Sequence, residues 1–189
     1  EEVSFYGQLI SPLQFVSILA FTWLTIIFLL FARHRTILEH RAVTDYLTKV
    51  ANRSGLTNWT KSLKLSEANP SFITLVYIDI DDFKAINDTY GHSKGDEVLV
   101  AFANIVTNQI KQHKFKTSIF ARLSGDEFMV AFVDETLETT EKFTQAILHQ
   151  LETPLPKVSS NIKIGISIGI VQESISDNDI QSAFNKADA

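Results

Sequence analysis

From Val3 to Ala32 the chain carries no charged side chain, and from Leu13 to Ala32 it is dense in Leu, Ile, Phe and Val. An apolar helix of about 20 residues is long enough to cross the hydrocarbon core of a bilayer. Three fates fit such a stretch: a membrane span, a buried core helix, or an uncleaved signal peptide. A core helix would show a polar stripe, and only isolated Thr and Ser interrupt this run. A signal peptide would carry its positive charge before the apolar segment. Here Arg33, His34 and Arg35 follow it, and Glu1 and Glu2 precede it. Lys and Arg favour the cytoplasmic side. The reading is a single span over residues 9–32, with residues 1–8 the end of an outside tail and the rest of the chain inside.

The 189 residues suffice for one globular domain plus this appendage. A net charge of -5 argues against a general nucleic-acid binder, which needs an excess of Lys and Arg on one face. There is no Cys, which excludes disulfides, thiolate nucleophiles and Cys-ligated zinc. His34, His40, His92, His113 and His149 are scattered without the helical pair spacing of zinc hydrolases. The chain begins without Met and stops at Lys186-Ala187-Asp188-Ala189, in what reads as the middle of a helix, so both ends are expected to be fragment ends.

Residues 33–52 read as a helical linker, with Ile37, Ala42, Val43, Tyr46, Leu47 and Val50 at approximate helical spacing. It is too short to establish a coiled coil, although it suits pairing with its twin in a dimer. Beyond it the spacing predicts a strand at Phe72–Ile80, a helix at Gly95–Ile110, strands at Thr117–Leu123 and Phe128–Val133, a helix at Leu137–Leu151 and a strand at Ile162–Val171. This β-α-β-β-α-β order implies an α+β fold: a split βαβ, ferredoxin-like or palm-like antiparallel sheet with both helices on one face.

Two acidic clusters fall at strand ends. One is Asp79-Ile80-Asp81-Asp82-Phe83-Lys84, after the first strand; the other is Asp126-Glu127, in the turn between the second and third. In a split βαβ sheet the strands that carry them can be neighbours, so the clusters can meet at one edge. Carboxylates buried together without partners would cost several kcal/mol each, and a divalent cation removes that penalty. Hard oxygen ligands without Cys point to Mg²⁺ or Mn²⁺ rather than zinc, and Mg²⁺ on few protein oxygens leaves positions for phosphate. Lys84 reads as a phosphate contact beside it. Any one of these acids alone would more often be a solvated loop residue.

Asp79-Ile80-Asp81-Asp82-Phe83-Lys84-Ala85-Ile86-Asn87-Asp88, with Tyr90-Gly91-His92 and Gly95-Asp96 after it, closely resembles the GGDEF domain family. So do Asp45-x-Leu47-Thr48 with Asn52-Arg53, Arg122-Leu123-Ser124-Gly125-Asp126-Glu127-Phe128, and Ser167-Ile168-Gly169-Ile170. The resemblance covers residues 45–189, with the C-terminal end of such a domain missing. It implies a diguanylate cyclase that joins two GTP into cyclic di-GMP, one GTP on each protomer of a homodimer, using Mg²⁺ or Mn²⁺, two ions per site. It implies metal ligation by Asp79, the Ile80 carbonyl and Asp126. Asp126, Glu127 and Lys84 become the catalytic residues, with Asp126 the general base and Lys84 a phosphate contact. Asn87 and Asp96 read the guanine edge, and Phe83, His92, Ser124 and Gly125 line the nucleotide site. An acceptor such as Asp96 suits the guanine N1–H and amino group, which adenine does not offer in that arrangement. With the span, it implies a bacterial inner-membrane protein with a periplasmic N-terminus and a cytoplasmic catalytic domain.

Three departures stand against the family pattern. Ser124 replaces a glycine expected to take positive φ, where a serine would cost about 1 kcal/mol. Phe115-Lys116-Thr117-Ser118 replaces an Arg-x-x-Asp product-inhibition site, so no feedback through that site is expected. The basic residues that help hold the triphosphate would lie beyond Ala189. The alternative reading is a catalytically inactive module that binds GTP or relays a signal to a partner, a cyclic di-GMP effector or a C-terminal EAL-type phosphodiesterase domain. A more distant one is an adenylyl-type cyclase or polymerase palm, which the signature turn and the Asn87/Asp96 pair disfavour.

Overall fold

A computed structural model describes residues 12–64, 71–155, 158 and 162–174. They form two units, divided after Arg41. The first is a helix, α1 (Pro12–Ala42). Its segment Gln14–Phe31 is long and apolar enough to cross a membrane, and its Phe, Leu, Ile and Trp side chains are exposed all round. Thr22 and Thr25 donate their hydroxyls to the carbonyls of Leu19 and Phe21, both at 2.8 Å. Back-bonding of this kind lets a hydroxyl sit on an apolar helix without an outside partner.

The helical reading of the linker holds only to Ala42. Asp45 stops it: its Oδ1 accepts from the backbone N–H and the hydroxyl of Thr48, at 2.8 and 2.6 Å. Asp side chains draw backbone donors away from helix in this way. Lys49 turns at φ 63°, and Thr44 bridges to Ala51. The chain then enters β1 (Ala51–Asn52) and α2 (Arg53–Lys64).

The remaining elements are β2 (Phe72–Ile80), α3 (Phe83–Tyr90), α4 (His92–His113), β3 (Ser118–Ser124), β4 (Glu127–Val133), α5 (Leu137–Leu151) and β5 (Ile166–Ser174). The sheet order is β1-β3-β4-β2-β5. β2 lies between β4 and β5, and β4 between β3 and β2, every one of these pairs antiparallel; β1 joins β3 in parallel. Apart from β1, this is the expected split βαβ sheet. β2 reads as an unbroken apolar run because both its faces are covered. Val76, Ile78 and Ile80, with Phe128, Val130 and Phe132 of β4, pack under α4 and α5. Ile73 and Leu75, with Met129 and Ala131, pack with Leu56 of α2, against which Trp59 and Leu63 also lie.

Thus both expected helices do share one face, and α2, which periodicity in the linker reading did not reach, covers part of the other. The expected helix from Gly95 begins three residues earlier, at His92, after Gly91 at φ 85° breaks the chain between α3 and α4.

Candidate active site

Strand alternation puts Ile73, Leu75, Tyr77 and Asp79 on the α2 face of the sheet. α2 packs over residues 73 and 75, and Asp79, at the far end of the same strand, is exposed. The register aligns Asp79 with Glu127 on one side and with Ser167 on the other, and Glu127 with Ser124 across the hairpin. Directly opposed residues share a face. A row Ser124, Glu127, Asp79, Ser167 therefore crosses four strands at the open end of the sheet. Asp126 joins it from the turn. Asp79's carboxyl is pushed above the usual carboxylate range, first by desolvation and then by the charges of Asp126, Glu127 and Asp81. The two acidic clusters of the sequence do meet.

The turn that carries Asp126 is Ser124-Gly125-Asp126-Glu127, with Gly125 at φ 39°. The non-glycine residues at positive φ are Lys49, Asp82, Lys114 and Asp134 among those described. Ser124 is not one of them, which corrects the expected strain: residue 124 is the last residue of β3, beyond a register shift from Arg122, and the next residue makes the turn. The Ser124 hydroxyl donates to Glu127 Oε2 at 2.5 Å.

Asp81, on the same face as Asp79, accepts from the Ser167 hydroxyl at 2.7 Å. Its backbone N–H donates to the Gly165 carbonyl. The Ile80 side chain is buried in the core, so its carbonyl is what it can offer at the strand end. Asp82, at φ 53°, swings the chain from β2 into α3. Lys84 stands exposed in the first turn of α3, and His92 exposed at the start of α4.

Helices α3 and α4 bring Asn87 against Gly95. A Cβ at residue 95 would collide with Asn87 Oδ1 and would come within 3.2 Å of the Phe83 ring. Only glycine admits that approach, and Asp96 follows it, exposed, in the first turns of α4. From Leu47 and Asp96 a groove of about 670 Å³ runs along α4 past Val100 and Asn104 to Gln150. None of the carboxylate row lines it.

A second cleft, of about 420 Å³, lies against the signature turn and is lined by Asp45, Tyr46, Asn52, Arg53, Arg122, Ser124 and Gly125, among others. Arg122 is the residue whose role the motif alone did not disclose. Its Nε donates to the Gly125 carbonyl at 2.8 Å, and its NH1 pairs with Asp45 Oδ1 at 3.2 Å. Burial raises Asp45's carboxyl, but hydrogen bonds from Thr48 and Arg122 and the Arg122 charge outweigh it and hold the group low. The spacing from Asp45 to Arg122 along the chain hid this contact.

Phe115, where the family's inhibitory arginine would stand, lies 4.2 Å from the Phe132 ring and 5.5 Å from that of Phe143, centroid to centroid. It is committed to the core.

No group of three or more His, Asp or Glu side chains forms a ready-made metal cage among the described residues. Mg²⁺ does not require one, since it binds through one or two carboxylates and completes its shell with water and substrate phosphate. The mutually repelling Asp79, Asp126 and Glu127, with hard oxygens and no thiolate, fit such an ion.

The family model described as diguanylate cyclase, GGDEF domain, matches residues 42–189. The chain is 33% identical over 150 residues to the probable diguanylate cyclase DgcF of Escherichia coli O157:H7, covering 77% of this chain and 30% of that protein. It is 33% identical over 172 residues to an uncharacterised membrane protein of Staphylococcus saprophyticus, covering 89% of this chain and 44% of that protein. The chain spans less than half the length of the curated relatives it matches. Its fold is similar to the coiled coil and GGDEF domain of DgcB from Caulobacter crescentus, solved in complex with c-di-GMP. The TM-score is 0.72 at 26% identity, covering 92% of this chain and 90% of that one. The chain belongs to the GGDEF family of diguanylate cyclase domains.

Proposed function

We propose that this chain condenses two molecules of GTP into cyclic di-GMP, releasing pyrophosphate, as a membrane-anchored homodimer that requires Mg²⁺ or Mn²⁺. The observation that carries the reading is the meeting of the two acidic clusters at the sheet end, where Asp79 stands opposite Glu127 in the register and Asp126 joins from the turn; desolvation first, and then these charges, raise the carboxyl of Asp79. Asp79, the Ile80 carbonyl and Asp126 are the metal-binding groups. A bound divalent ion supplies charge neutralisation for the phosphates and acidifies the attacking ribose hydroxyl. Asp126 and Glu127 act at the reacting end, with Asp126 accepting the proton of that hydroxyl. Lys84 holds phosphate. Asn87, packed against Gly95, and Asp96, the next residue, hold the guanine edge, and His92 borders the nucleotide.

Each protomer presents one substrate, so turnover needs two copies facing each other. A fixed α1 in the inner membrane, with the domain on the cytoplasmic side, would restrict how those copies meet. Feedback through the Arg-x-x-Asp site is not expected, because Phe115 stands there.

The inactive-module reading rested on strain at Ser124. With Gly125 taking the positive φ, that ground for a dead site falls away, which supports the enzyme. The test is full-length protein in detergent with GTP and Mg²⁺ or Mn²⁺, with the product identified by chromatography. Cyclic di-GMP is expected. Asp126→Ala should lower turnover by at least about 100-fold with the circular dichroism unchanged. A dimeric wild type that makes no cyclic di-GMP, with product restored by Ser124→Gly, would leave the sensor reading instead.

A further inference from the structure

Four carboxylates crowd the open end of the sheet, and two of them are held by serines. Ser124 faces Glu127 across the β3–β4 hairpin and donates its hydroxyl to Oε2. At the other end of the row, Ser167 donates to Asp81 Oδ1. The second oxygen of Asp81 lies against Gly165, where a Cβ would come within 2.5 Å of Oδ2. Asp81 is thus hydrogen-bonded at Oδ1 and packed at Oδ2 against the residue before β5. Glu127 is committed on one and keeps Oε1. The side chains of Asp79 and Asp126 have no hydrogen-bond donor among the described residues.

The four acids are therefore sorted, not equivalent. A glutamate on an exposed strand end samples several rotamers. A hydroxyl fixed on the neighbouring strand selects one of them, because residues directly opposed in a hairpin project from the same face. Glycine at position 124 has no side chain with which to do this.

We propose that Ser124 and Ser167 are positioning residues: they bracket the carboxylate row, fixing Glu127 by one oxygen and withholding Asp81, so that Asp79, Asp126 and the free oxygen of Glu127 face a divalent cation. The replacement of the first signature glycine is then a device of this chain and not a lesion in it. Outer-shell hydrogen bonds to metal-binding carboxylates commonly govern affinity in this way. The proposal rests on the metal reading given above and adds to it the residues that set the ligand geometry.

The test is Mn²⁺ binding to the full chain in detergent, read by electron paramagnetic resonance with a non-hydrolysable GTP analogue present. Ser124→Ala removes the hydroxyl and keeps the Cβ. It is expected to weaken Mn²⁺ binding about tenfold, and Ser124→Thr, which keeps the hydroxyl, to restore it. Ser167→Ala frees Asp81 and is expected to alter Mn²⁺ affinity independently. In turnover, Ser124→Ala should raise the Mn²⁺ concentration needed for half-maximal rate, and Ser124→Thr should bring it back down. Thermal melts of each variant verify the fold. Unchanged Mn²⁺ affinity in both alanine variants, beside a wild type that binds, overturns the bracket and leaves the metal reading intact. A wild type that binds no Mn²⁺ overturns both.

Discussion

Serine 124 has the backbone of a strand end, and Gly125 absorbs the turn at φ 39°. A glycine placed at residue 124 would lose more conformational freedom on folding than serine does. Ser124→Gly is therefore expected to lower stability by about 0.5–1 kcal/mol in urea unfolding. An increase would show that the position needs the glycine region after all. Asp79 poses the opposite problem. Its carboxyl is raised by burial and by three neighbouring acids, so ionising it at neutral pH costs the fold stability. Asp79→Asn should raise the melting temperature of the metal-free protein. Mn²⁺ should stabilise the wild type, by about 2.7 kcal/mol at a concentration one hundred times its Kd, and should do so far less in Asp79→Asn. A metal-free melting temperature that falls in the variant would refute the repulsion.

Among elements, the contact that matters most runs from the loop before β1 to the β3–β4 hairpin. Arg122 holds Asp45 with one nitrogen and the Gly125 carbonyl with another, tying the loop to the signature turn. The sign of its pH dependence follows from Asp45, whose folded-state pKa lies below its ordinary 3.8. The folded state then binds fewer protons than the unfolded chain near that value. The stabilisation is complete above pH 3.8 and is lost as pH falls through the lowered pKa. Asp45→Asn should cost about 1.5–3 kcal/mol at pH 7 and narrow its gap to wild type in acid. A gap that stayed constant from pH 7 to pH 3 in urea titrations would mean that the Asp45 charge plays no part. Helices α3 and α4 form the other joint, where Gly95 exists to admit Asn87.

For the whole molecule, α1 and the domain after Arg41 treat their apolar side chains in opposite ways. The helix exposes Phe, Leu, Ile and Trp on every side, whereas the domain buries such residues on both faces of one sheet. The full chain should sediment with membranes and resist extraction by alkaline carbonate, and a chain starting at Ala42 should be soluble. Release of the full chain by carbonate would argue against a span.

Sequence pattern by itself determined much of this. Strand β2 and helix α5 are legible to the residue, because a dense β-branched and aromatic run and a regular 3.6-residue stripe each leave one solution. The long apolar helix, the α+β class and the Asp79 and Asp126 clusters followed from local chemistry of the same kind. Helix α2 was missed: in Arg53–Lys64 only Leu56, Trp59 and Leu63 mark a face, amid polar residues. The linker was read too far, because Asp45's hold on Thr48 outweighs apolar spacing. Tertiary structure alone decided that Arg122 reaches back to Asp45, that Asn87 lies on Gly95, and that Ser124, Glu127, Asp79 and Ser167 share a row. Register between strands dozens of residues apart is set by the packing of both faces at once. No local window contains it, and for that reason residue 124 read as a defect in the chain and as a hydrogen-bond donor in the fold.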